Sequence, residues 1–279
     1  MGIRSPHVMQ FLNELPKSIQ WGEVVSENYM NWQNGLKPKA FSNLEKIRER
    51  LPIALHGVSM NIGSADPIDA NYLKRLKELA NSIDPIWISD HLCWTGVDGE
   101  NIHDLIPVPF TKENLKYLSD KILKIQDFLG QRILIENVSS YFEYTNTEMT
   151  EWQFIKELTE KADCGILLDI NNIYVSSVNH SFNPIDFLKS MPLERVGQIH
   201  LAGHSVKDGY LIDTHDQPVC EEVWKLFQWT EQNLGFFTSM IERDGAIPNW
   251  QELEKEILRA HEIRNGVKSE FTKKITASI

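Results

Sequence analysis

Short apolar runs alternate with longer amphipathic stretches along most of this chain. Apolar runs rich in β-branched residues predict strands near residues 1–4, 22–27, 52–58, 86–92, 132–137, 165–171, 196–202 and 237–243. Several are apolar nearly throughout, the pattern of strands covered on both faces. Leu73, Leu76 and Leu79 mark one side of a helix predicted over 69–83. Leu115, Leu118, Ile122 and Ile125 form one face of another over 111–128, which Thr111 can cap. Further helices are predicted over 150–161, opened by Thr150 and Glu151, and over 184–190, 219–233 and 249–264. Strands alternating with helices predict a parallel sheet, and eight such strands predict closure into a single-domain α/β fold, a (βα)8 barrel of the TIM type. No Gly-rich dinucleotide fingerprint follows a strand, which weighs against an open doubly wound sheet. The long connections 92–110 and 203–218 read as loops, and their His, Asp and Trp content marks them as functional.

Six of the runs end in a side chain that can bind a metal. IALHG carries His56, IWISDH His91, RILIEN Glu136, CGILLDINN Asp169, VGQIHLAGH His200 and SMIERD Glu242. They follow a rhythm of roughly thirty to forty residues, about one βα unit. In a closed barrel the C-terminal strand ends share one rim, where catalytic groups lie. Any one of these histidines alone fits a hydrogen-bonded core residue equally well. The set is different, because three carboxylates aimed into one mouth repel one another unless a cation lies between them. Mixed His and carboxylate donors suit iron, manganese or zinc better than calcium or magnesium. A second cluster comprises Asn171 and Asn172, His204, and Asp213, His215 and Asp216. It either holds an additional metal or caps its loops through Asx turns. Ser89, Asp90, Asn137, Arg243 and Asp244 flank the ligands, and strand alternation turns Asp90 and Arg243 toward the helices. Glu27 closes the second strand at the cavity, and Trp94, Tyr141 and Tyr174 either wall the cavity or belong to the core.

Length and charge narrow the options further. The 279 residues, 42% hydrophobic and without a linker, fit one barrel over residues 1–265 followed by a tail over 266–279. A net charge of −11 and a pI near 5.3, with no basic stripe, argue against a nucleic-acid partner. Cys93, Cys164 and Cys220 match no zinc-ribbon spacing and read as small hydrophobes in a reducing compartment. The N-terminus lacks the apolar core of a signal peptide, and no run approaches the roughly eighteen apolar residues of a membrane span. A cytoplasmic protein without a membrane partner is expected.

Eight motifs, taken together and in order, identify a family. SENYM at 26–30, LHGVSMNIGSADP at 55–67, SDHLCW at 89–94, LIENVSSY at 134–141, LLDINNIYV at 167–175, IHLAGH at 199–204, IDTHD at 212–216 and IERD at 241–244 resemble the multinuclear non-haem iron-dependent oxidases. The resemblance runs from about residue 2 to residue 260. It implies a TIM-type barrel holding two or three iron ions, with O₂ as co-substrate. It also implies oxidation of cysteine in a ribosomally made precursor peptide, to products such as oxazolone–thioamide pairs, with a small partner protein that captures the peptide leader. By motif match, His56 and His91 hold one iron, with Glu136 bridging to a second held by Asp169, His200 and Glu242. Asn171, His204, Asp213 and His215 match the third site, and Glu136 and Asp169 are the expected catalytic carboxylates. Two other readings of the residues stay open. One is a divalent-metal barrel of the sugar-isomerase or endonuclease type that works without O₂, and the other is a non-catalytic metal-binding scaffold.

Overall fold

A computed structural model describes residues 1–30, 37 and 39–277, with side chains to residue 270. Its strands are β1 (Gly22–Val25), β2 (Ile53–Gly57), β3 (Ile88–His91), β4 (Cys93–Val97), β5 (Glu100–Pro107), β6 (Ile133–Glu136), β7 (Gly165–Asp169), β8 (Val196–Leu201), β9 (Ser205–Lys207), β10 (Tyr210–Ile212) and β11 (Ser239–Ile241). Seven form one parallel sheet in the order β1-β2-β3-β6-β7-β8-β11. Ile53, Leu55, Ile88, Ile133, Ile166 and Ile199 are wholly buried within it, as the near-continuous apolar runs require.

The eighth strand expected at residues 1–4 is reduced to one parallel bridge, Gly2 with Glu23. It still closes the ring. Gly2 N–H donates to Ile241 O at 3.3 Å, Ile3 N–H to Glu23 O at 2.7 Å, and Glu23 N–H to Met1 O at 2.9 Å. Pro6 then starts a short 3-10 turn over Ser5–His7, because its fixed φ and missing N–H cannot continue a strand. The result is a barrel of the TIM type, with one stave shortened.

Helices pack outside the ring: α1 (Val8–Asn13), α2 (Lys39–Arg48), α3 (Ala70–Ile83), α4 (Lys112–Leu129), α5 (Glu151–Ala162), α6 (Ile170–His180), α7 (Pro184–Ser190), α8 (Glu221–Asn233) and α9 (Trp250–Ala277). The caps read from the sequence form. Thr111 Oγ1 accepts from Asn114 N–H at 3.2 Å, and Thr150 and Gln153 make a reciprocal capping box at the start of α5. Gly130 ends α4 at φ +81°, a conformation that favours glycine. α9 runs as one helix past residue 265 to Ala277.

The two connections read as loops are corrected. Each contains a hairpin, β4 with β5 and β9 with β10. The first turns at Asp98 and Gly99 (φ +54° and +78°), the second at Asp208 and Gly209 (φ +51° and +88°). Two successive residues at positive φ are what a tight right-twisted hairpin needs, and Asp-Gly supplies them. No helix among the described residues is long and apolar enough to cross a membrane.

Candidate metal centre

The strand-end side chains converge inside one mouth of the barrel. Parallel register sets His91 opposite Glu136 and Asp169 opposite His200. Glu136 is the central group. One of its oxygens, Oε2, lies 3.3 Å from His56 Nε2 and 3.4 Å from His91 Nε2, and the other, Oε1, lies 3.5 Å from His200 Nδ1. His200 Nδ1 is also 2.8 Å from Glu242 Oε2 and 3.9 Å from Asp169 Oδ2. His215, on the loop after β10, places Nδ1 3.2 Å from Glu242 Oε2 and 3.4 Å from Asp244 Oδ2. Its Nε2 lies 2.6 Å from Asp213 Oδ1.

Three donor sets result: His56, His91 and Glu136; Glu136, Asp169, His200 and Glu242; and His215, Glu242 and Asp244. Within each set the donor atoms lie within 4.8 Å of one another. Glu136 belongs to the first two sets, and Glu242 to the last two.

The outer partner of each histidine fixes which nitrogen faces inward. Gly57 O accepts from His91 Nδ1–H at 3.1 Å, which leaves Nε2 as the free donor atom. Ser89 Oγ lies 2.8 Å from His56 Nδ1 and donates onward to Leu55 O, so His56 Nε2 likewise faces Glu136. His200 is turned the other way. Its Nε2 lies 3.2 Å from Glu23 Oε1, and its Nδ1 faces the carboxylates. Glu23 is held in turn by Gln198, whose Nε2–H donates to Glu23 Oε2 at 2.6 Å and whose Oε1 accepts from Trp87 Nε1–H. Asn137 clamps the backbone of Asp169, accepting from its N–H at 2.9 Å and donating to its carbonyl at 3.0 Å. Asp169 Oδ1 caps α6 by accepting Asn172 N–H at 2.7 Å, which aims Oδ2 at the cluster.

The electrostatics are those of a site that demands positive charge. Burial pushes the Asp169 carboxyl well above its usual range and the Glu136 carboxyl above it. Burial also works against a charged Glu242, but His200 and His215 hold it well below the carboxylate range. Burial disfavours protonated His200 and His215, yet their carboxylate neighbours, Glu242 and Glu23 for His200 and Asp213 and Glu242 for His215, raise both well above ordinary histidine. His91, facing a carbonyl, is lowered by burial.

The donors fit a metal better than they fit one another. Both Glu136 oxygens, Asp169 Oδ2, His200 Nδ1 and His215 Nε2 are buried without an aligned hydrogen bond. Orphaned buried polar atoms are rare, and these five face one another at the barrel mouth. A metal about 2.1 Å from each donor would hold neighbouring donors roughly 3 to 3.4 Å apart, and the contacts of His56 and His91 with Glu136 and of His215 with Glu242 and Asp244 have that spacing. Oxygen and imidazole donors without thiolate suit iron, manganese or zinc.

The expected residues divide into three groups by position. His56, His91, Glu136, Asp169, His200, His215 and Glu242 lie together in the donor sets. Asn171 and Asp213 border them, with Asn171 Nδ2–H donating to Asp213 Oδ1 at 2.7 Å. His204 stands one step back, its Nδ1 2.8 Å from Asn171 Oδ1 and its ring against Tyr174. Glu27 serves elsewhere. Its Oε1 accepts from Val58 N–H, Ser59 N–H and Tyr72 O–H, which pins the chain after β2. Asp90 and Arg243 turn outward, Asp90 accepting Met60 N–H and Arg243 pairing with Glu256 of α9. A Cβ at Gly57 would collide with the Asp90 carboxylate, so the close approach there needs glycine. Glu23 and Arg4 join the site from the first two staves, beyond the run-end residues that the sequence marks. Arg4 lies 3.4 Å from Glu242 Oε1 and pairs with Asp244. Both stand in the runs that form staves, but Glu23 lies inside its run rather than at its end, and Arg4 offers no metal-donor atom.

A family model described as RiPP precursor modification enzyme MbnB/TglH/ChrH matches residues 1–265. A UPF0276 protein of Caulobacter vibrioides is 48% identical over 257 residues, 92% of this chain and 90% of the relative. Another, from Vibrio parahaemolyticus, is 39% identical over 265 residues, 93% of this chain and 90% of the relative. Among solved structures, endonuclease IV from Thermus thermophilus superposes with a TM-score of 0.59 at 15% identity over 97% of both chains. The 3-keto-D-glucoside 4-epimerase YcjR of E. coli gives 0.59 at 14% identity over 94% of this chain and 98% of its own. At such identities the two structures speak for the barrel alone.

Proposed function

We propose, for a chain that belongs to the MbnB/TglH/ChrH family of RiPP precursor modification enzymes, a multinuclear iron-dependent oxidation of cysteine in a ribosomally made precursor peptide, with O₂ as co-substrate. The observation that carries this reading is Glu136, a buried carboxylate with neither oxygen in an aligned hydrogen bond and each facing a different donor set. His56, His91 and Glu136 would hold one ion, and Glu136, Asp169, His200 and Glu242 a second. His215, Glu242 and Asp244, bordered by Asp213 and Asn171, would hold a third. Iron bound there supplies Lewis acidity toward a thiolate and electrons for O₂.

The chain's own residues do the remaining work. Ser89 Oγ and Gly57 O keep His56 and His91 in the tautomer that points Nε2 inward. Glu23 holds the His200 ring with Nδ1 toward the cluster. His200 and His215 hold protons that balance Glu242, Glu23 and Asp213 until a metal displaces them. Tyr141 O–H accepts Asp213 N–H at 3.0 Å and seats the loop that carries His215. The hairpins β4–β5 and β9–β10 follow β3 and β8 directly and so leave the barrel at the same mouth, where a peptide would enter. An oxazolone–thioamide or related product, a small leader-binding partner protein and a cytoplasmic setting complete the reading. The test is O₂ uptake by iron-loaded protein given a Cys-containing precursor peptide. The proposal expects uptake in step with mass loss at cysteine and neither in Glu136→Ala. Peptide modification without O₂ would refute it.

A further inference from the structure

A second cavity, about 490 Å³, opens on the other side of the segment that seats the metal-centre loop. Within Ser139–Phe142, alternate residues face opposite ways. Tyr141 turns its hydroxyl to Asp213, while Ser140 and Phe142 line the cavity. Tyr141 thus ties one wall of this cavity to the loop that carries Asp213 and His215.

The cavity has aromatic walls and one-sided charge. Phe110, Phe142, Tyr144, Trp152 and Phe182 line it, with Trp152 and Phe182 ring centroids 5.6 Å apart. Three glutamates border it, Glu143, Glu148 and Glu151, and among the described residues no lysine or arginine does. Glu148 is engaged, its Oε2 accepting Lys112 N–H at 2.7 Å. Glu151 has no hydrogen-bond or ion-pair partner among the described residues. It borders the cavity and is partly accessible from it, yet the protein around it pushes its carboxyl up to about 8 by desolvation alone. The helix does not need it as a cap, because Thr150 and Gln153 already close the first turn of α5. The nearby Ser140 and His180 are not a reactive pair. Ser140 Oγ lies 2.8 Å from His180 Nε2 but donates its own proton to Phe142 O at 2.9 Å, and with Ser140 O 3.0 Å from the same nitrogen the imidazole N–H is directed at Ser140, so both brace the wall.

Burial alone keeps the unpaired carboxyl protonated; an organic cation on an apolar stem would release that proton and pair with the carboxylate among the aromatic faces. We propose that this cavity receives a lysine or arginine side chain of the peptide substrate, with the charge at Glu151 and the stem against Trp152 and Phe182. The proposal takes its peptide from the functional reading above. It makes the cavity a register pocket, which sets the residue spacing between a cation and the cysteine presented to the metal centre.

The probe is Nα-acetylarginine amide, titrated into 5-fluorotryptophan-labelled protein and followed by fluorine NMR, with Trp152→Phe assigning the resonance. A saturable shift at Trp152 is expected, with Nα-acetylnorleucine amide at least tenfold weaker. Glu151→Gln should weaken the arginine probe at least tenfold, and Glu151→Asp should restore most of it, which separates lost charge from lost fold. Equal binding of norleucine and arginine, or an unchanged Glu151→Gln, overturns the cation pocket. This arm needs neither metal nor turnover, so it can fail or succeed independently of the oxidase reading. A second arm uses a glycine-spaced Cys–Arg peptide on iron-loaded protein. Binding at least tenfold tighter than the arginine amide, and lost when citrulline replaces arginine, is the expected result. No gain from the tether would mean that the pocket takes a free small cation, overturning the peptide assignment.

Discussion

His56 and His91, on β2 and β3, back onto neutral oxygens, whereas His200 and His215, on β8 and the loop after β10, stand among carboxylates. The first pair presents Nε2 to Glu136, and His200 presents Nδ1. The backing group decides both the inward nitrogen and the charge. On the neutral side both imidazoles already turn Nε2 toward Glu136. On the acidic side protons take the place of the cation. Glu136 joins the two sides, so the mouth works as one unit with unequal halves.

Four substitutions or conditions probe that inequality. Glu136→Ala has the largest expected effect, because it removes a donor from both halves. Metal content should fall in both, and peptide oxidation should be abolished; full occupancy with intact turnover would refute the bridging role. Glu23→Gln comes next. It removes the carboxylate behind His200 alone, and metal affinity of the acidic half should fall by about 10–100-fold. The His56 and His91 half should be unchanged by competitive chelator titration, and an equal loss in both halves would break the comparison. Ser89→Ala should weaken only the neutral half, by about fivefold, the worth of one neutral hydrogen bond of roughly 1 kcal/mol.

The pH response should be the mildest sign and has a fixed direction. His200 and His215 have folded pKa values raised above the unfolded value of about 6.5. Their contribution to metal-free stability is therefore complete below that value and is lost as pH rises through the raised values. Thermal melts should show the metal-free protein losing stability above neutral pH, with metal-loaded protein holding steadier. Parallel melting curves for the two forms would mean that metal does not replace those protons.

The same inequality shows how far the sequence could be read. His56, His91, Glu136, Asp169, His200 and Glu242 were legible because each polar group ends an apolar run that a barrel buries on both faces. Glu23 stands second in Gly22–Val25, inside its run, so a rule about run ends passes over it. The helix Ile170–His180 was hidden because Asp169 both ends β7 and caps α6, leaving no turn residues between them. The hairpins could have been found, since Asp98-Gly99 and Asp208-Gly209 are strong turn signals; their strands are short or exposed and lack an apolar pattern. The bridge at Gly2 shows the limit of counting strands, because three hydrogen bonds close a barrel without a regular strand.

The most direct test is a single anaerobic preparation divided between metal analysis and an oxygen electrode. Two or three iron ions per chain, with O₂ uptake appearing only when a Cys-containing precursor peptide is added, is the predicted result. At most one metal ion per chain, or peptide modification that proceeds with no O₂ consumed, would contradict a multinuclear centre built around Glu136.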